Sequence, residues 1–264
     1  MELQKVIYTV ENGIATITMD YLKNLNAIDE QMADELIYVV EHIEDNPDVK
    51  VVILRGSGKA FSAGGDVGYF YDLVQAGGEI NMDPLIAKVG IIASSIKQSK
   101  KMYITSVAGA AAGAGISLAL AGDFMICADN AKFILAFVNL GLVPDTGAVY
   151  LLCKAIGTAR TMDLAATGRV MDAQEAHDLG LAYQVTTAEE LDATTLKLAE
   201  KLAAGPLVAY ANIKKQVYAA AFSDYRQWLE EVEVPTQSEC AKTEDFQEGV
   251  KAFMEKRKAQ FQGK

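Results

Sequence analysis

The chain has 264 residues, 51% hydrophobic and 22% charged, which is ordinary for a globular enzyme of one large domain, with or without an appendage. A net charge of −11 argues against nucleic acid as the main partner, yet a few local lysines can still hold an anionic small ligand. No apolar run reaches the ~18 residues of a membrane span, the first residues lead straight into strand-like sequence, and Cys127, Cys153 and Cys240 show no CxxC spacing. A cytoplasmic protein without disulfides is the expectation.

Val6 to Val10 and Ile14 to Met19 are β-rich runs split by a Glu-Asn-Gly13 hairpin signal. After a polar loop, Asp29 caps a helix whose apolar face is Met32, Leu36, Val39, Val40 and Ile43. His42 lies among acidic neighbours on that helix and reads as solvated. Val49 to Arg55 is too apolar for an edge strand. It feeds a glycine-rich turn, Gly56 to Asp66, that opens a helix at Val67. Gln75 to Met82 is polar and reads as a mobile loop, and Leu85 to Gln98 as an amphipathic helix.

Tyr103 to Ala108 is a buried strand, and Gly109 to Gly115 after it carries only Gly and Ala side chains. A loop so bare admits close approach by another backbone or a ligand. With a helix expected from Ile116 to Ala121, backbone N–H groups at its start are left to bind a phosphate or an oxyanion. Phe124 to Cys127 returns as strand. A third turn, Gly141-Leu-Val-Pro-Asp-Thr-Gly147, then places Asp145 among apolar residues. Asp145 is either an N-cap or a carboxyl with a raised pKa suited to moving a proton. His177 is read as structural. From Ala188 onward the signals are helical: Leu191 to Ala203, Pro206 to Ala221, Tyr225 to Glu233 and Glu244 to Lys258. The expected division is a catalytic core over 1–200 and a helical oligomerisation region over 201–264, whose Trp228, Phe222, Phe246, Phe253 and Phe261 suit a subunit interface.

Three strand–turn–helix junctions stand out: Phe61-Ser-Ala-Gly-Gly-Asp66, Gly113-Ala-Gly-Ile-Ser117 and Leu142-Val-Pro-Asp-Thr-Gly147. Two backbone donors for one oxygen, with a carboxylate beside them, are the apparatus for making an enolate from a thioester. These motifs, with Asn26-Ala27, Lys59-Ala-Phe-Ser-Ala-Gly-Gly-Asp66, the 109–123 run, Gly141-Leu-Val-Pro144 and Phe253-Met-Glu-Lys-Arg-Lys258, resemble the crotonase (enoyl-CoA hydratase/isomerase) superfamily nearly end to end.

The resemblance implies an α/β fold, a spiral of ββα units with a helical C-terminal trimerisation region, assembled as a homotrimer or hexamer. It implies an acyl-CoA thioester substrate, with no separate cofactor, no metal, and neither nucleic acid nor membrane as partner. The oxyanion donors fall on the N–H groups of Gly65 and Ala114, the latter replacing the usual glycine. Asn24 to Ala27 and the segment Lys59, Phe61, Ser62, Ala63 and Asp66 would flank the substrate, and Lys256 would reach a nucleotide phosphate. The two glutamates with which hydratases activate water fall at Ser117 and Phe137, so hydration is not expected. Family isomerases work with one carboxylate after the Pro of the third turn, and Asp145 occupies that place. Phe137 would help to exclude water, and Ser117 would bond substrate, a water or its own helix. A dehalogenase using Asp145 as nucleophile, and a non-catalytic scaffold, are the alternatives. The first also needs a His and a Trp that His42, His177 and Trp228 do not supply.

Overall fold

The computed structural model describes residues 1–77 and 80–264. Among them the strands form two sheets, and the chain alternates between the two. A hairpin of β1 (Val6–Glu11) and β2 (Ile14–Met19) starts the larger sheet, which continues in parallel through β3 (Val51–Gly56) to a partner strand at Met102–Val107. Helix α1 (Glu30–Asp45) lies between β2 and β3, and between β3 and the Met102–Val107 strand the chain forms β4 (Ala60–Ser62) in the smaller sheet and the helices α2 (Val67–Ala76) and α3 (Asp83–Gln98). From β5 (Met102–Val107) it passes to β6 (Ala110–Ala112) of the smaller sheet and into α4 (Ala114–Ala121). From β7 (Phe124–Ala128) it passes to β8 (Lys132–Ile134), a 3₁₀ turn (Ala136–Leu140), α5 (Ala148–Ile156) and α6 (Thr158–Thr167). β9 (Val170–Asp172) closes the smaller sheet, α7 (Ala173–Asp178) follows, and β10 (Gln184–Thr186) closes the larger one.

This is the expected spiral of ββα units, and its geometry explains where a site forms. β4, β6 and β8 are parallel neighbours in the smaller sheet, so their carboxyl ends share one edge. Whatever follows each strand is delivered there: Gly65 after β4, Ala114 after β6, Asp145 after β8 and its turn. The bare run is therefore strand, tight turn and helix start rather than loop, with the helix beginning two residues before the expected Ile116. Its glycines serve packing as well. A Cβ on Gly115 would meet the Ser62 carbonyl oxygen at 2.8 Å, backbone that cannot yield. Gly115→Ala is expected to cost about 1–3 kcal/mol in a denaturant melt.

The tail consists of α8 (Leu191–Ala203), α9 (Leu207–Ala221), α10 (Tyr225–Trp228), a π-helical turn (Leu229–Glu233), α11 (Val234–Ala241) and α12 (Glu244–Met254). The helix expected to end at Glu233 instead runs on to Ala241. The widened π turn accommodates Pro235, which lacks an N–H. The tail aromatics largely find partners within the chain. Phe246 is fully buried and meets Phe70 edge-on at 6.3 Å, and Trp228 and Phe222 pack on Tyr150. Phe253 and Phe261 remain exposed. The expected loop over 75–82 is helical at Gln75 and Ala76, and residues 78 and 79 lie outside those described. Among the described residues no helix is long and apolar enough to cross a membrane.

Candidate active site

A cavity of about 290 Å³ opens at the shared edge of the smaller sheet. One wall is α3, through Met82, Leu85, Ile86 and Val89, spaced as one helical face. The opposite wall holds Gly65, Ala114, Phe137 and Asp145, with Phe253 of α12 at 59% exposure.

Gly65 presents its N–H for a simple reason. Its neighbours bond Ile28, with the Ile28 N–H donating to Gly64 O at 2.7 Å and the Asp66 N–H to Ile28 O at 3.1 Å. By strand alternation Gly65 itself faces the other way, into the cavity. Ala114 is the first residue of α4, so its N–H has no acceptor one turn back. It is not among the residues with positive φ; that conformation falls on Gly113 (φ +50), so a methyl group at 114 is tolerated. The two turns touch: a Cβ on Gly113 would lie 4.0 Å from the Gly65 nitrogen.

Asp145 is 7% exposed and does not cap α5 with its side chain. That position is occupied by Glu233, whose carboxyl accepts from the Gly147 N–H at 2.8 Å. One Asp145 oxygen, Oδ2, accepts from Gln237 Nε2 at 3.0 Å, and the other, Oδ1, is buried without a partner among the described residues. Burial pushes the Asp145 carboxyl up to about 7, against the lowering effect of the Gln237 amide and of the nearby Thr146 hydroxyl, which itself donates to the Asp145 carbonyl oxygen at 2.8 Å. Glu233 is raised further, by burial first and then by the charge of Asp145, so the pair does not carry two charges at neutral pH. Gly147 is required here, because at φ +90 a Cβ would overlap the Tyr225 hydroxyl.

Of the residues expected in the site, Gly65, Ala114, Asp145, Ala63 and Phe137 line the cavity. Others are near it but satisfy the backbone. Ser117 is fully buried and donates to the Asp145 carbonyl oxygen at 3.0 Å, so it bonds neither its own helix nor the cavity. Ser62 donates to Asn26 O at 2.7 Å and accepts from Gly64 N, and Phe61 beside it is in the core. Asp66 caps α2 through Gly68 N and accepts from Asn24 Nδ2 at 2.7 Å. Asn26 joins the two segments around it, its amide donating to Ser57 O and Ala60 O, both at 2.9 Å. Ala27 is buried, while Lys59 and Lys256 are exposed, and none of the three lines the cavity. Tyr69 faces α1, donating to Glu30 at 2.9 Å. Gln237, Glu233 and Phe253 were not singled out for the site. A polar pair one helical turn apart was the only signal for the first two, and Phe253 was read instead as part of a subunit interface.

The profile of the Enoyl-CoA hydratase/isomerase family matches residues 9–264. A trans-2-decenoyl-[acyl-carrier-protein] isomerase of Streptococcus mutans is 34% identical, with all of both chains aligned. A 1,2-epoxyphenylacetyl-CoA isomerase of Escherichia coli is 33% identical over 99% of this chain and 100% of its own. A crystal structure of an enoyl-CoA hydratase from Mycobacterium avium subsp. paratuberculosis superposes with a TM-score of 0.90 at 31% identity, covering 99% of this chain and 100% of that one.

Proposed function

The chain belongs to the enoyl-CoA hydratase/isomerase family, an enzyme family, and from that premise we propose that it is an isomerase that moves a double bond in an enoyl thioester. One observation carries the reading: among the described residues, Asp145 is the only ionisable side chain lining the cavity. Adding water needs groups to hold and deprotonate it, whereas moving a proton between two carbons of one substrate needs a single base.

In this reading the Gly65 and Ala114 N–H groups hold the thioester oxygen. Asp145 takes a proton from Cα of a 3-enoyl thioester, and the electrons of that C–H bond pass into the carbonyl as a dienolate. The two donors stabilise its oxygen, and the protonated carboxyl returns the proton at Cγ, leaving the 2-enoyl product. Phe137 and the apolar α3 wall keep water from the intermediate. The CoA moiety is assigned to the loop Asn24 to Ala27, whose Asn24 and Leu25 reach the surface, and to the exposed Lys59, with Lys256 available to its phosphates. The homotrimer or hexamer implied by the family would use the exposed Val208, Ile213 and Val217 of α9. The isomerase names of the Streptococcus and Escherichia relatives support the assignment, and the hydratase name of the superposing structure is the competing reading.

The test is the ultraviolet absorbance of a 3-enoyl-CoA and a 2-enoyl-CoA, each incubated with the purified protein. Growth of the conjugated signal from the first, with little loss from the second, is the expected result. Rapid loss of conjugation from the second would replace the reading with hydration. Silence from both, with thioesters still bound, would move it to a ring substrate such as the Escherichia relative's name describes.

A further inference from the structure

We propose that Gln237 is the positioning residue of this site: its amide pins Oδ2 of Asp145, so that Oδ1 alone gives up and receives the substrate proton. The inference rests on the reading of Asp145 as the base. It begins with a hydrogen-bond argument that needs no substrate.

Gln237 is fully buried and uses both ends of its side chain. Its Oε1 accepts from the Val143 N–H at 3.0 Å, and its Nε2 donates to Asp145 Oδ2 at 3.0 Å. A backbone N–H can only donate, so the group facing Val143 must be the oxygen, and the amide cannot be flipped. The nitrogen therefore faces Asp145, and Oδ2 must present a lone pair. Any proton on the carboxyl is then assigned to Oδ1, the buried oxygen left without a partner among the described residues, on a side chain that lines the cavity. One rigid contact thus selects which oxygen does the chemistry and keeps the same oxygen in place for both proton transfers. The amide also favours the ionised carboxyl, since it bonds the charged form more strongly.

The tail is shaped to deliver this contact. Glu233 and Gln237 are one turn apart and both buried, in line with Ala241, on a face that is otherwise apolar. Glu233 fixes the turn after Asp145 through Gly147, while Gln237 fixes the turn before it through Val143 and the carboxyl itself. Both residues stand at or just after the π turn, an irregularity common where side chains must be re-aimed. The titratable groups facing Asp145 are Glu233 and, through Thr146, Tyr225; α4 presents only Ser117, and α3 presents apolar side chains.

Two variants and one spectrum test the proposal. Gln237→Met removes the amide, and Gln237→Glu keeps an acceptor for Val143 while placing a second carboxyl against Oδ2. Each is expected to lower kcat about 10- to 100-fold at pH 7, change KM less than about threefold, and move the acid limb of kcat/KM upward by about one pH unit or more. A purely structural role would lower activity through KM or the folded fraction and leave the acid limb in place, and that outcome overturns the proposal. The third measurement uses unmutated protein labelled with ¹⁵N-glutamine. The Gln237 side-chain signal is expected to titrate with Asp145 and to stop doing so in Asp145→Asn. A signal indifferent to pH overturns the contact even if Gln237→Met does not fold. Because the spectrum needs no turnover, it separates failure of this inference from failure of the isomerase reading.

Discussion

Asp145→Asn is expected to lose at least about a hundredfold in turnover while keeping its affinity for the thioester. The amide cannot take a proton, yet its oxygen still accepts from Gln237 Nε2, so the turn and the cavity persist. Equal activity in the variant would remove Asp145 from the chemistry. The same substitution is expected to stabilise the protein, and only in one pH range. The carboxyl titrates near 3.8 when free and about 7 when folded, so the folded state holds its proton more tightly. Stability from this group is full below pH 3.8 and is lost as the pH rises to 7, beyond which the loss is constant. At pH 8 the asparagine variant should therefore gain on the order of 2–4 kcal/mol, and at pH 4 almost nothing. Denaturant melts at the two pH values check this. A gain of the same size at both would show that packing, not ionisation, is responsible. On this expectation the wild-type residue is the less stable choice, as a residue kept for chemistry would be.

Ala114→Pro is expected to lower kcat about 100- to 1000-fold with little change in the melting temperature. A backbone donor cannot be deleted by exchanging a side chain, but proline deletes the N–H itself. Elsewhere in a helix that would break an internal hydrogen bond. At the first helical position there is no such bond, and the fixed φ of proline suits the site. The neighbouring bond from Gly113 N to Ile134 O, at 2.9 Å, is untouched. The variant thus isolates one donor. Wild-type turnover in it would mean that the Ala114 N–H does not hold the developing charge, and the α4 end would then be packing alone.

How much of this was legible in sequence depends on how far each signal reaches along the chain. The two glycine turns were, because Gly65 is crowded by the nearby Phe70 and Gly113 needs a positive φ. Asp145 was legible as one of two things, an N-cap or a carboxyl with a raised pKa, and the structure shows no side-chain cap on α5 and a carboxyl raised by burial. Ser62, Asp66 and Ser117 could not be resolved from sequence for the opposite reason. A hydroxyl or carboxylate beside a turn looks the same whether it meets a ligand or, as here, a backbone group. Gln237 and Glu233 were hidden because their partners lie 92 and 86 residues away, and a Glu and Gln one turn apart on a helix read as a solvated face. Only the docked tail turns them inward.

The order of synthesis follows from that docking. Both sheets and both donor turns are encoded before residue 187, while Glu233, Gln237 and Phe253 leave the ribosome afterwards. A nascent chain can lay down the spiral with Asp145 already translated, but its carboxyl then has no amide to hold it and no cover from water. A carboxylate in that condition stays hydrated and has an ordinary, weakly basic character. In the proposed mechanism the Asp145 carboxyl therefore acquires its raised pKa only when the π turn settles beneath the third turn of the spiral. On the proposed reading, the last helices to be translated set the proton affinity of an acid translated near the middle.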